Sequence, residues 1–276
     1  MQKLTWVRLA GLVTVLGLGT ASSSVTAQTI WAPATVNNPT LMLEMARPVL
    51  NSDVGNLSTP SGAIFASTRW PVSNRIIAVG EVPLSYGRLT SPDGSTTIDD
   101  FAFGNPYVGI EYRFTGSPLF IEAGARAPLT PDDEIVATVV GITSDLDRWE
   151  AFAPDIVPVT TMLNYTPRLA NGWVMRLRGG AENWIPTSGD YELYGLADAQ
   201  GGYAGNRFLV LAGGTGRVLI TDDSNFGGRT FFQLGAGGWY EFGRVRPGLQ
   251  FRLPVDSDLT EVSDFTFGLS ADVRVR

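Results

Sequence analysis

Two glutamates on neighbouring stretches, Glu111 and Glu122, are the pair whose spacing most readily suggests chemistry. A tight turn, Thr115-Gly116-Ser117-Pro118, separates their strands, so the two carboxyls fall close together as an acid/base pair. The competing reading is an ion network in which they face Arg113 and Arg126. The chain has no histidine and no cysteine. A Ser-His hydrolase, an outer-membrane phospholipase, a lipid A deacylase or an Asp/His protease needs an imidazole that titrates near neutral pH. Those activities are excluded, and so are thiolate metal sites and disulfides. The only lysine is Lys3, inside the N-terminal leader, so a Ser-Lys dyad is excluded as well. Gly213-Gly214-Thr215-Gly216-Arg217 lacks the lysine and following helix of a phosphate-binding loop and reads as strand curvature. No catalytic group, metal site or cofactor is expected.

The remaining charges alternate with apolar residues. In 173–182, Trp173, Met175, Leu177, Gly179 and Ala181 alternate with Val174, Arg176, Arg178, Gly180 and Glu182. Strand side chains point to opposite faces with period two, so this is a strand with one apolar and one charged face. The last stretch, 265–276, does the same: Phe265, Phe267, Leu269, Ala271, Val273 and Val275 oppose Thr266, Gly268, Ser270, Asp272, Arg274 and Arg276. Twelve such segments are expected, near 40–48, 62–70, 75–89, 101–114, 119–126, 152–165, 173–182, 191–203, 207–220, 230–242, 244–253 and 265–276.

Residues 1–27 carry Lys3 and Arg8, then an apolar run over 9–19, then the small-residue site Val25-Thr26-Ala27. That order marks a secretory signal peptide cleaved near Ala27. Its removal leaves 249 residues as one domain, 28–276, with formal charge −9, because the leader holds two of the 20 basic residues and none of the 27 acidic ones. An acidic chain is a poor ligand for nucleic acid.

Export, about twelve strands and 32 glycines together give an all-β fold. It is an antiparallel up-and-down transmembrane β-barrel in the outer membrane. Links at 71–74, 115–118, 166–171, 204–206 and 243 are short, as periplasmic turns should be. Links at 51–60, 90–100, 130–150, 222–227 and 254–263 are longer or acidic, while 186–189 is short on the long side. Tyr112, Phe114, Tyr165, Trp173, Tyr203, Phe208, Tyr240 and Phe242 gather near the short turns, as in an interfacial aromatic belt.

The polar faces then form the lumen, lined by Glu81, Glu111, Arg113, Glu122, Arg126, Arg176, Arg178, Glu182, Glu241, Arg246, Gln250, Arg252 and Arg274. So many charges in mid-strand would be costly in a packed soluble core. Arg176, Arg178, Arg246, Arg252 and Arg274 form a basic strip for anions or, alternatively, neutralise the inward glutamates. In the long link, Thr130 N-caps a helix with Pro131 first and Asp133 third, running to Val140 before Gly141. The alternative is an extended strand through the β-branched run 135–140.

Thr266, Gly268, Ala271 and Val273 resemble the C-terminal signal read by the barrel-assembly machinery, with Arg276 where an aromatic is usual. The stretch Gly104-Asn105-Pro106-Tyr107-Val108-Gly109-Ile110-Glu111-Tyr112-Arg113-Phe114 resembles a strand of the outer-membrane transporter-like family tied to phenol meta-pathway clusters. That resemblance implies passage of small molecules, aromatic ones among them. The expectation is a passive channel for small solutes through an Arg/Glu lumen. The alternatives are a non-conducting structural or surface-binding barrel with an ion-paired lumen, and a soluble periplasmic barrel for an apolar ligand. Lipid and lipopolysaccharide are the expected surroundings, with divalent cations bridging the acidic loops as a further role.

Overall fold

A computed structural model describes residues 39–275, apart from 52, 54–55, 59–60, 168, 188 and 222–229. The leader 1–27, the link 222–227 and Arg276 lie outside the described residues. Alternation sets the first strand, β1 (Thr40–Leu50): Thr40, Met42, Glu44 and Ala46 are buried, while Leu41, Leu43 and Met45 are about half exposed. β2 (Asn56–Leu57), β3 (Gly62–Pro71), β4 (Ile76–Thr90), β5 (Thr97–Phe103), β6 (Tyr107–Arg113) and β7 (Leu119–Arg126) follow. Beyond the long link come β8 (Ile156–Tyr165), β9 (Trp173–Pro186), β10 (Glu192–Ala204), β11 (Phe208–Leu219), β12 (Thr230–Tyr240), β13 (Val245–Pro254) and β14 (Ser263–Arg274).

Every pairing is antiparallel, and β14 returns to β1 from Thr40 opposite Arg274 to Leu50 opposite Ser263. That pairing closes the sheet, so the barrel has no first or last edge strand. β2 is a two-residue addition to the end of β4. β5 and β6 share one side of β4 in series: Thr97–Phe103 lies against Leu84–Thr90, and 107–112 against 76–81. They form one stave, and the barrel has twelve. Short hairpins close one end, where Gly116 and Gly243 take φ of 70° and 61°. A side chain rarely adopts that left-handed backbone.

The outer surface is apolar. Val108, Ile110, Leu163, Leu234, Leu249 and Leu269 are all exposed. At the short-hairpin end the rings cluster: Trp173 with Tyr203 and Tyr203 with Phe208 across strands, and Tyr112 with Phe114 and Tyr240 with Phe242 along one strand end. A soluble barrel would carry these side chains inside. This barrel is a transmembrane one.

Three local expectations are corrected. The strand at 101–114 is interrupted at 104–106, and the loop before it shrinks because β5 already starts at Thr97. Gly104 is required there, since a Cβ would collide with the Ala151 carbonyl and the Phe152 ring. The strand expected from 152 begins only at Ile156. The long link holds a helix, α1 (Ile135–Ser144), and a 3-10 helix (Leu146–Ala151), not an extended strand. α1 starts at 135, not 131, because the cap comes from another element. The Asp100 carboxylate on β5 accepts the N–H groups of Val136 (3.2 Å) and Ala137 (2.5 Å).

Candidate functional site

The link between β7 and β8 folds into the barrel instead of standing above it. Asn105, in the gap between β5 and β6, fastens its base. Its Nδ2 donates to the carbonyls of Glu150 (2.9 Å) and Ala153 (2.7 Å), and its Oδ1 accepts from the N–H groups of Leu129 and Thr130 and from the Thr130 hydroxyl. Thr130 is thus a ligand of Asn105 and not a helix cap.

Arg148, at the centre of the inserted segment, is fully buried. It is bound to Glu44 on β1 (2.8 Å), Glu81 on β4 (2.8 Å) and Asp145 (2.5 Å), with its guanidinium 3.7 Å from the centre of the Phe65 ring. Arg252 on β13 joins Glu44 (2.7 Å) to Asp145 (2.8 Å). Arg126 at the end of β7 joins Glu81 (2.8 Å) to Glu150 (3.4 Å), and Arg217 on β11 joins Glu150 (2.8 Å) to Glu182 on β9 (3.0 Å). The network reaches β1, β4, β7, β9, β11 and β13, so the inserted segment is tied around the ring. Ser144 Oγ donates to the Ala46 carbonyl (3.2 Å) and Thr266 Oγ1 to the Thr143 carbonyl (3.1 Å). Trp149 packs among Trp184, Tyr194 and Phe231, with ring centres 4.3–5.8 Å apart.

Burial alone would push the Asp145 carboxyl up, but Arg148 and Arg252 beside it hold it below its ordinary range. For Glu150 burial prevails over the pull of Arg217, and Glu182 reinforces it, so its carboxyl is pushed up to about 7. A small, partly open polar cavity of about 20 Å³ lies against the segment between Asp147, Glu150, Thr160, Met162, Arg178, Glu182, Leu196, Asp198 and Arg217.

Towards the short hairpins, pairs link strand to strand. Glu111 is bound by Arg69 and lies 3.5 Å from Arg113. Glu122, directly opposite Glu111 in the register, accepts from the Tyr107 hydroxyl at 3.0 Å. Arg126 does not pair with Glu122, because it sits at the far end of β7 and turns to the inserted segment. Arg178 faces Asp198 (3.7 Å), Arg246 binds Asp272 (2.7 Å), and Arg176 is buried opposite Gln200. Glu241 and Arg274 pair at 2.8 Å, each about a third exposed, at the rim beside the last hairpin. Gln250 accepts from Arg252 at 2.8 Å. Four of the five arginines proposed as a basic strip therefore face carboxylates, and the strip is not an unopposed one.

Sequence reasoning named neither Glu44, Arg69, Asp145, Arg148, Glu150 nor Asp198 for the lumen. Glu44 stands on the polar side of a cleanly alternating strand, and Asp198 alternates with the apolar Ala197 and Ala199, so both carried a readable signal. Arg148 lies where there is no period at all. Among the described residues, no group of three or more His, Cys, Asp or Glu side chains is arranged to hold a metal ion.

No protein-family profile matches the chain, and no curated protein matches it in sequence. Its likeness is structural. An outer membrane channel from Pseudomonas putida F1 superposes with a TM-score of 0.62 at 13% identity, over 91% of this chain and 100% of that one. The NanC porin gives 0.53 at 8% identity over 85% and 100%, and the translocator domain of the autotransporter NalP from Neisseria meningitidis 0.52 at 8% over 86% and 88%. The chain has the fold of a Gram-negative outer-membrane barrel. A channel, a porin and a translocator share that architecture, so the fold by itself assigns no solute.

Proposed function

We propose that this chain is an outer-membrane channel that passes small solutes passively through a charged lumen, narrowed by the segment between β7 and β8. The observation that carries this reading is the way the segment is held. Ion pairs and hydrogen bonds from Glu44, Glu81, Arg217 and Arg252 fasten it, leaving a polar cavity at its side. A polar interior favours water and hydrated solutes over an apolar ligand. After cleavage near Ala27 the mature barrel sits in lipid and lipopolysaccharide, delivered by the assembly machinery through β14.

A second reading has one observation in its favour. Glu44, Glu111 and Arg148 are wholly buried, so the same ion pairs would close the lumen and leave a structural or surface-binding barrel. Conductance of the folded protein in a planar bilayer separates the two, beside an Arg176→Glu/Arg178→Glu variant. Discrete steps whose selectivity moves toward cations in the variant support the channel. Silence from protein shown to be folded and inserted supports the closed barrel.

A further inference from the structure

Surface charge is divided between the two ends of the barrel. At the long-loop end the exposed side chains include Asp99, Asp132, Asp133, Asp190, Glu261 and Asp264, and among the described residues Arg88 is the one exposed arginine. At the short-hairpin end the sign reverses. Arg75, Arg207 and Arg244 are exposed there, and among the described residues of those hairpins the one carboxylate, Glu241, is taken by Arg274 at 2.8 Å. A chain that is acidic overall is therefore basic at one end.

The three arginines stand in closed turns. The Val72 N–H donates to the Ile76 carbonyl (2.9 Å) around Arg75, Gly205 to Phe208 (2.8 Å) around Arg207, and Val245 to Phe242 (3.0 Å) around Arg244. Ser73 Oγ also accepts the N–H groups of Arg75 (3.2 Å) and Ile76 (3.1 Å). The backbone thus fixes where each side chain starts.

An aromatic ring lies just behind each one. Phe208 follows Arg207 and packs on Tyr203, and Phe242 precedes Arg244 by two positions and packs on Tyr240. The Arg75 carbonyl accepts the N–H of Arg113 at 2.8 Å, between Tyr112 and Phe114, whose ring centres lie 5.4 Å apart. Rings gathered at a barrel end sit at the level of the lipid headgroups. A strand advances about 3.3 Å per residue, so an arginine one or two positions beyond the ring reaches the phosphate layer with its long stem. Its planar fork meets two phosphate oxygens at once, where an ammonium offers only a point charge. The carboxylates of the other end would repel the same group.

We infer that the short-hairpin end is a docking surface for anionic phospholipids, with Arg75, Arg207 and Arg244 holding headgroup phosphates just beyond the aromatic belt. The inference holds for an open and for a closed lumen alike. The test is quenching of tryptophan fluorescence by phospholipids brominated near the headgroup, with the full protein in vesicles of phosphatidylcholine and phosphatidylglycerol. Trp70 and Trp173 are exposed on the outer face at this end and report on it. Wild type should prefer phosphatidylglycerol about fivefold, the effect of one arginine beside an anionic surface. Arg75→Gln/Arg207→Gln/Arg244→Gln, with folding checked by heat-modifiable gel mobility, should bring the two lipids close to parity, while Arg88→Gln should leave the preference as it is. If the triple variant does not fold, Arg207→Gln alone should lower the preference. Parity in wild type, a preference kept in the hairpin variants, or an equal loss in Arg88→Gln overturns the inference.

Discussion

The two halves of the barrel interior handle charge differently. At the long-loop end the charges of several strands converge on one inserted segment, with Arg148 and Glu150 as shared partners. At the short-hairpin end, pairs such as Arg246–Asp272 and Arg274–Glu241 bridge neighbouring or nearby strands and involve no inserted residue. Closing a barrel by its backbone leaves the interior to be filled, and only the first half uses a separate piece of chain to fill it. Charges in the first half therefore hold an inserted segment in place, while those in the second link wall strand to wall strand.

Breaking the hub of the first half should have the largest effect. Arg148→Ala leaves Glu44, Glu81 and Asp145 without their shared cation, and removing one partner of a buried network costs about 3–5 kcal/mol. Denaturant unfolding in detergent should show the loss, and limited proteolysis should cut within 127–155 while the strands resist. Asn105→Ala should cost about 2 kcal/mol, because it strands the Leu129 and Thr130 N–H groups, and it should expose the same segment to protease. Uniform destabilisation without local cleavage would blur the distinction between the halves.

Acid sharpens it. The Asp145 carboxyl is held below its ordinary 3.8, so its stabilising contribution is complete above that pH and is lost as pH falls through the depressed value. The segment should become protease-sensitive on acidification, and Asp145→Asn should remove that part of the pH dependence. At the other end Arg274→Ala should change stability by less than about 0.5 kcal/mol, since its pair with Glu241 is a third exposed and screened by solvent. A large loss there would mean that the rim, too, carries the fold.

The strands were legible because a face is a local property. Leu41, Leu43 and Met45 point one way whatever lies across the barrel, and the same period gives the two faces of β9 and β13. Partnership is not local. Arg126 looks like a mate for Glu122 in sequence, yet it lies at the end of β7 beside Glu81 and the returning Glu150. Arg148 meets Glu44 from 104 positions away, and no period in its own segment marks it as inward. The start of α1 is hidden from the local sequence for the same reason, since its first N–H groups are capped by Asp100 on another strand.

Single-channel conductance of wild type and Arg148→Ala, each verified as folded and inserted, tests most directly whether the inserted segment narrows a pore. Small steps in wild type and clearly larger or noisier ones in Arg148→Ala are the expected result. Silence from both proteins would contradict it, and the charged interior would then be a filling that closes the barrel.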